Sequence, residues 1–473
     1  MKDQVVKDFE KLVGNSITIN GETVKVVNKD EFRKNAYKLA EVSALESGER
    51  QGFARFILRA AAQEMGIVPA SINDLYIARG KGKVPYTFTV PAMNMRVLGY
   101  DAARAAFSVA NKLDASAIIF EIARSEMTYC DQRPMEYVSS ILAAAITEGY
   151  TGPVFIQGDH FQISAKRYLA DPKKEIEGLK ELIRESVAAG FYNIDIDTST
   201  LVDLEKTTIA DQQKLNVELS AIFTEFIRSV EPKGITISVG GEIGEVGGHN
   251  STEEELRAYL DGFRDDLKKR SGEAVGLSKI SIQTGTSHGG VVLPDGTIAK
   301  VNVDFDTMKK LSAISRSDYG MGGAVQHGAS TLPEDAFHKF VESEACEIHL
   351  ATNFMNMFYD RIPKALMDEM YAYLREKHAG DRKPDMTDEQ FYYKTRKYAV
   401  GPFKKQAWNL DDKVKAEIRH AWEAQFTKLF TSLGLAGTRK FVEAHVHPVA
   451  IKPKLSDYVV EEKGAEDVKD LAD

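Results

Sequence analysis

Cysteine is scarce: Cys130 and Cys346 are the only two in 473 residues. Two thiols exclude a disulfide-held scaffold and a four-cysteine zinc module. No run of about 18 apolar residues occurs, so no segment has the makings of a membrane-spanning helix. The first residues, MKDQVVKDFEKL, alternate charged and apolar side chains and lack the unbroken apolar stretch of a secretory signal. Positive charge is not in excess either: 61 lysines and arginines stand against 70 acids, a net charge of -9. A polyanionic backbone finds no basic field to hold it, which argues against nucleic acid as a partner. Small anions stay open, because backbone N–H groups bind them whatever the global charge. What is present, 43% hydrophobic and 28% charged residues, is globular composition. The expectation is a soluble, cytoplasmic protein with neither a membrane nor a nucleic-acid partner.

Residues 1–84 read as an N-terminal α/β extension. SITINGETVKVV (16–27) alternates around Asn20-Gly21, a hairpin signal, and amphipathic helical stretches follow over roughly 30–47, 50–65 and 71–79. From 85 to 364 short apolar strands alternate with helical stretches. The candidate strands are 86–94, 116–123, 152–160, 191–198, 234–242, 277–288, 322–328 and 346–352. Alternating β and α elements argue for a parallel sheet with covered faces, and eight units match the size of a (β/α)8 TIM barrel. An open, doubly wound sheet is the alternative. The polar residues favour the barrel, since nearly every strand ends in a reactive side chain, and barrel sites gather at the C-terminal ends of strands. Residues 365–452 turn helical and charged. The stretch 453–473, acidic and lysine-rich, is expected to be a flexible tail.

Four of the ten histidines lie at strand ends. His160, His288 and His327 are candidate metal ligands, since neutral imidazole is the commonest transition-metal ligand and three protein ligands with open positions describe a catalytic zinc site. Asp159, beside His160, suits either general acid/base work or a helix N-cap. Glu242 suits a further ligand, a supporting carboxylate or a salt-bridge partner. GTSHGG (285–290) and QHGAST (326–331) place glycine and hydroxyl residues beside histidines late in the barrel, a frequent phosphate site, and Thr352 adds a hydroxyl. The glycine-rich loop GGEIGEVGGHN (240–250) suits a mobile lid.

Taken in order along the chain, these segments resemble the class II (zinc-dependent) fructose-bisphosphate and related ketose-bisphosphate aldolases. The resemblance runs from about Thr89 to about Ala444 and includes VPAMN, PVFIQGDH, GEIG, GTSHG, HGAS followed by Pro333, EIHLATN and RKYAVGP. It implies a carbon–carbon lyase of carbohydrate metabolism in which zinc is held by His160, His288 and His327, although histidine ligands also suit cobalt, nickel or iron. It further implies a zinc-stabilised enediolate of dihydroxyacetone phosphate, Asp159 as proton carrier, Glu242 near the metal and Asn94 on the ketose. Gly289, Gly328, Ser330 and Thr352 would grip a phosphate, and a homodimer or homotetramer is expected.

The chain also departs from the family. Gln157 stands where a histidine is usual, and Gly240 replaces the first carboxylate of a Glu-x-Glu. His249-Asn250 stands where an acidic base is usual, with Glu253, Glu254 and Glu255 shortly after. His349 replaces an asparagine, Ala351 stands where the aldolases vary between alanine and aspartate, and Val292 occupies the place of a lysine. His249 and His349 are therefore candidate catalytic residues. They motivate a second reading, a zinc-dependent epimerase or isomerase of a ketose or keto-acid sugar. A third reading is a non-catalytic aldolase-like partner subunit, motivated by the lost carboxylate and the extra N-terminal region.

Overall fold

The computed structural model describes residues 3–243, 249–285, 293–294, 302–459 and 470–471. A helix, Asp3–Leu12, leads into an antiparallel hairpin of β1 (Ile17–Asn20) and β2 (Thr23–Val26). Helices Lys29–Leu45 and Gly48–Glu64 follow, then a short strand, β3 (Ile67–Ala70), and helix Asn73–Gly80. The hairpin turns where the Asn20-Gly21 signal lies.

Eight parallel strands come next: β4 (Val90–Asn94), β5 (Ile119–Ala123), β6 (Gly152–Gln162), β7 (Asn193–Asp197), β8 (Ser238–Glu242), β9 (Lys279–Ile282), β10 (Ala324–Gln326) and β11 (Glu347–Leu350). Each pairs with the next, and β11 pairs back onto β4 in the register Glu347↔Val90 to Leu350↔Met93. That last ladder closes the sheet. The fold is a (β/α)8 TIM barrel with an N-terminal extension, and the open sheet is excluded.

The strands are apolar enough to be covered on their outer faces, as parallel strands must be. Ile119, Ile194, Ile280 and Ile348 are all fully buried. The helices carry their own punctuation. In Pro172–Ala189, Asp171 caps the N-terminus by accepting from the Lys174 N–H, Pro172 opens the first turn, and Gly190 ends the helix in a left-handed conformation. Helix Glu253–Ser271 starts in a reciprocal Thr252/Glu255 capping box.

The extension is tied into the barrel from its N-terminal end. Strand β3 runs parallel to the first half of β6, from Ile67↔Gly152 to Ala70↔Phe155, ahead of the point where β7 joins at Gln157↔Asn193. Asn193 clamps the junction: its Nδ2 donates to the Ala70 carbonyl at 3.1 Å, and its Oδ1 accepts from the Ile72 N–H at 2.8 Å. Arg79, on the following helix, donates to the carbonyls of Phe88 and Ala345, just before β4 and β11 begin. Helix Asn73–Gly80 therefore lies beneath the barrel floor.

At the other end of the chain, helix Asp412–Ser432 packs on the barrel's flank. Trp422 is fully buried there and donates from Nε1 to the Phe354 carbonyl at 3.1 Å. Of the 453–473 stretch, Tyr458 is buried against Phe56 of the extension, whereas 460–469 and 472–473 lie outside the described residues. No described helix is long and apolar enough to cross a membrane.

Candidate active site

The C-terminal end of the barrel gathers its chemistry around β6. A bulge between Gly158 and Phe161 shifts the β6–β7 register, and His160 adopts a positive φ of 37° within it. The bulge needs glycine at 158: a Cβ there would lie 2.3 Å from the Phe161 ring. The irregularity re-aims one residue, as bulges beside sites commonly do. Asp159 and His160 thereby both reach the barrel mouth, and the helix-cap reading of Asp159 falls away.

His160 meets His327, from the end of β10, with ring centroids 4.2 Å apart. Glu242, closing β8, brings Oε2 to 3.3 Å from His327 Nε2. His160, Glu242 and His327 each offer a ligand atom within 4.8 Å of the others. Two imidazoles and a carboxylate suit a divalent transition metal. Asp197 sits 3.1 Å from His160 Nδ1, the supporting contact that fixes a ligating imidazole and turns its Nε2 outward. Two other clusters among the described residues have suitable atoms, Asp159–His327–His349 and Glu121–Glu347–His349. Their carboxylates are already engaged by Asn94, Gln157 and Lys279, so the first cluster fits a metal best.

Asp159 is buried between two donors. Asn94 Nδ2 donates to its Oδ2 at 2.9 Å, and His349 Nδ1 lies 3.1 Å from its Oδ1. Asn94 Nδ2 also reaches Glu126 at 2.8 Å, and Glu126 is paired with Arg96. His349 lies against His327, ring centroids 4.0 Å apart and tilted by 44°, and its Nε2 lies 2.7 Å from Glu347 Oε1. With both ring nitrogens on carboxylates, His349 is an imidazolium donating at each end.

Beneath Asp159 lies a second charged layer. Lys279 Nζ donates to Asp195 Oδ2 and Gln157 Oε1, each at 2.8 Å, and to Glu347. Gln157 Nε2 donates to Glu121 at 2.8 Å and to Glu347 at 2.9 Å. These partners come from five strands on different sides of the barrel, so they point inward. Gly240 belongs to this layer by absence: a Cβ there would lie 2.3 Å from Asp195 Oδ1 and 2.9 Å from Lys279 Cε. The missing first carboxylate of β8 makes room for the Lys279–Asp195 pair.

The electrostatics follow from this crowding. Burial alone would raise the Asp159 carboxyl, but His160, His349 and His327 hold it well below the usual carboxylate range. Burial likewise opposes charge on His160, and Asp159 with Asp197 overcomes it, raising the imidazole to about 10. His349 is held well above its ordinary value by Glu121, Asp159 and Glu347, against burial. Glu121 goes the other way: burial and the nearby Asp159 push it up to about 8. Carboxylates crowded round imidazoles make a place that favours a cation.

A cavity of about 510 Å3 opens above this floor. Asn94, Asp159, Gly328, Ser330, His349 and Thr352 line its base. Its roof comes from the C-terminal helical region, with Met386, Tyr393 and Lys397, and Arg96 lines the side. Lys397 is half-buried, and burial together with Arg96 pulls its amine down to about 7.

Most of the residues expected from sequence thus converge: Asn94, Asp159, His160, Glu242, His327, Gly328, Ser330, His349 and Thr352. His288 and Gly289 lie outside the described residues, as does 244–248 of the glycine-rich loop. His249 stands apart. Its side chain is 52% exposed, and its contacts are with the Asn250 carbonyl and Glu255. Glu255 serves the capping box and Glu253 pairs with Arg257 and Lys310, so both have structural work. Sequence reasoning missed Arg96, Lys279, Glu347 and Tyr76. The available signal was a lone charge at the head of an apolar strand, in KISI and EIHL, with Glu347 two residues before His349 and so on the same face.

Among curated protein sequences, none matches the chain significantly. Solved structures resemble it at low identity. A probable tagatose 6 phosphate kinase from Sinorhizobium meliloti 1021 is 15% identical with a TM-score of 0.51, over 78% of this chain and 97% of that one. The YdjI aldolase from Escherichia coli K12 is 13% identical with a TM-score of 0.45, over 78% and 99%. A fructose-bisphosphate aldolase from Campylobacter jejuni is 16% identical with a TM-score of 0.45, over 79% and 97%. The family model described as fructose-bisphosphate aldolase class-II matches residues 85–424, which takes in the whole barrel and its roof. The chain therefore belongs to the class II fructose-bisphosphate aldolase family.

Proposed function

We propose that the protein is a metal-dependent aldolase that cleaves or forms a carbon–carbon bond in a ketose phosphate, with dihydroxyacetone phosphate as one half. The observation that carries this reading is the seat of Asp159, fixed by Asn94 and His349 beside the His160–Glu242–His327 cluster. That cluster, joined by His288 on the strength of its motif, would hold zinc or another divalent transition metal. The bound ion supplies Lewis-acid polarisation of the ketose carbonyl.

The rest is done by the chain. In the cleavage direction Asp159 accepts the hydroxyl proton of the half that leaves as an aldehyde. The carbon–carbon bond breaks toward the ketose carbonyl, and in synthesis the proton returns to the new hydroxyl. Asn94 and His349 each occupy one oxygen of Asp159, which fixes the carboxylate plane for that transfer. Gly328, Ser330 and Thr352 line the cavity and offer the N–H and hydroxyl groups that suit a phosphate, and Gly289 would join them on the strength of its motif. Arg96 lines the same cavity, and Lys397, its amine lowered to about 7, can take up a proton when an anion binds there.

A second reading, epimerisation or isomerisation of a ketose or keto-acid sugar, has one observation in its favour. His349 places a second proton-transferring group directly on Asp159.

One experiment separates these readings. The zinc-loaded protein is incubated in D2O with a panel of phosphorylated and free ketoses and followed by proton NMR, with chelator-treated protein as control. Release of triose phosphate is the expected result, and a ketose of altered stereochemistry without cleavage would favour the second reading. Asp159→Asn should keep its metal and lose about 10²- to 10⁴-fold in turnover. Full activity in that variant ends the assignment of Asp159.

A further inference from the structure

We infer that the N-terminal extension takes part in the active site from below: Tyr76 is a positioning residue that holds Asp159 in place through Glu347 and His349. The inference rests on Asp159 being the proton carrier. Tyr76 sits on helix Asn73–Gly80, under the N-terminal ends of the strands, and only 1% of it is exposed. Its hydroxyl donates to Glu347 Oε2, a contact between residues 271 apart in sequence. Glu347 Oε1 meets His349 Nε2 at 2.7 Å, and His349 Nδ1 meets Asp159 Oδ1 at 3.1 Å. A chain of three hydrogen bonds thus joins the floor of the barrel to the reacting carboxylate at its mouth.

The hydroxyl has work that packing alone does not require. A phenylalanine would fill the same space beneath Gly322, where the backbone approaches the tyrosine side chain so closely that a Cβ would lie 2.9 Å from Tyr76 Cβ. What tyrosine adds is a donor for Glu347 Oε2, while Oε1 takes His349, Gln157 and Lys279. Without it, a buried carboxylate oxygen loses its hydrogen bond, and rotation toward the remaining donors moves the acceptor under His349. His349 has little freedom to absorb that shift, because its other nitrogen is held between Asp159 at 3.1 Å and Glu121 at 3.2 Å. Helix Asn73–Gly80 is independently anchored by Arg79 to Phe88 and Ala345, so the loss of one hydroxyl leaves the helix in place.

The test compares Tyr76→Phe, His349→Asn and the double variant in the full-length, zinc-loaded protein, with Asp159→Asn as reference. The first readout is the pair of hydrogen-bonded imidazole N–H proton signals of His349, identified by their loss in His349→Asn. Tyr76→Phe should shift both. The second readout is turnover of the ketose phosphate that the NMR panel identifies. Tyr76→Phe should lower kcat about 3- to 30-fold, the range expected of a coupled network, with KM and zinc content unchanged. Adding Tyr76→Phe to His349→Asn should cost nothing further.

Unmoved His349 signals, or a full multiplicative loss in the His349→Asn background, would reduce Tyr76 to packing and overturn the inference. Failure of the underlying reading looks different: Asp159→Asn would then keep its turnover, whatever Tyr76→Phe does to the His349 signals. Should Tyr76→Phe fold poorly, Glu347→Gln breaks the same chain one step on, and the His349 signals report it in the same way.

Discussion

Lys279 is buried and Lys397 half-buried, yet the protein holds the deeper one charged and lets the other go. Burial disfavours the ammonium at each. At Lys279, on the inner face of β9, Asp195 and Glu347 overcome burial and raise the amine above its ordinary value. At Lys397, in the roof of the cavity, Arg96 adds to the effect of burial and Glu126 pulls back too weakly, leaving the amine at about 7. Glu126 is already committed to Arg96. The contrast separates two layers of one barrel. The floor neutralises its own charges and needs nothing from outside, whereas the mouth holds an amine poised near neutral pH, whose charge an anionic substrate can complete.

The sharpest way to break this comparison is Lys279→Met. Removing one partner of a buried network leaves Asp195 without its ion pair and Glu347 with one donor fewer, and the expected loss is about 3–5 kcal/mol. Urea unfolding of the metal-free protein measures it. A loss below about 1 kcal/mol would mean that the carboxylates find other protons or partners, and that the floor is not held together by this lysine. Gly240→Ala probes the same layer with a smaller expected effect. Its methyl would strike Asp195 and Lys279, and overpacking of this kind costs about 1–3 kcal/mol. If Gly240→Ala is neutral in the same unfolding assay, the glycine is not there to make room for the pair.

The two layers were also unequally legible in the sequence. The mouth declared itself, because polar residues at the ends of apolar strands have few reasons to be there other than a site. Asp159, His160, Glu242, His327 and His349 all came from that one rule, and closure of the barrel by β11 on β4 is what lets them meet. The floor was harder. Lys279 opens an apolar strand, and nothing in KISI says whether a charge at its head faces solvent or the barrel axis. Its partners lie on β6, β7 and β11, distant in sequence, so their pairing exists only once the sheet has closed. Tyr76 was beyond reach for the same reason: the helix that carries it was visible as amphipathic, but its place under the barrel depends on β3 joining β6. The replacement of a carboxylate by Gly240 looked like a loss of function. With the structure in view it is the space that Lys279 and Asp195 occupy.

The gentlest test concerns the mouth, through the pH dependence of stability. An unfolded lysine titrates near 10.4, whereas folded Lys397 does so at about 7. Between those values the unfolded chain carries one proton that the folded chain lacks at this position. The unfolded state therefore binds more protons, and stability rises with pH across that window. Read downward, stability is lost as pH falls from about 10.4 toward 7, and below that the contribution is flat because both states are charged. The slope is at most about 1.4 kcal/mol per pH unit, so unfolding free energies at pH 7.5 and 8.5 should differ by about 1 kcal/mol from this residue. Lys397→Met should remove that difference while leaving the behaviour of the floor unchanged. Sulfate, a tetrahedral anion with no protonation change in this range, should restore charge to Lys397 on binding and flatten the wild-type slope. A wild-type profile that already matches Lys397→Met would show that the amine stays charged in the roof, and the contrast with Lys279 would collapse.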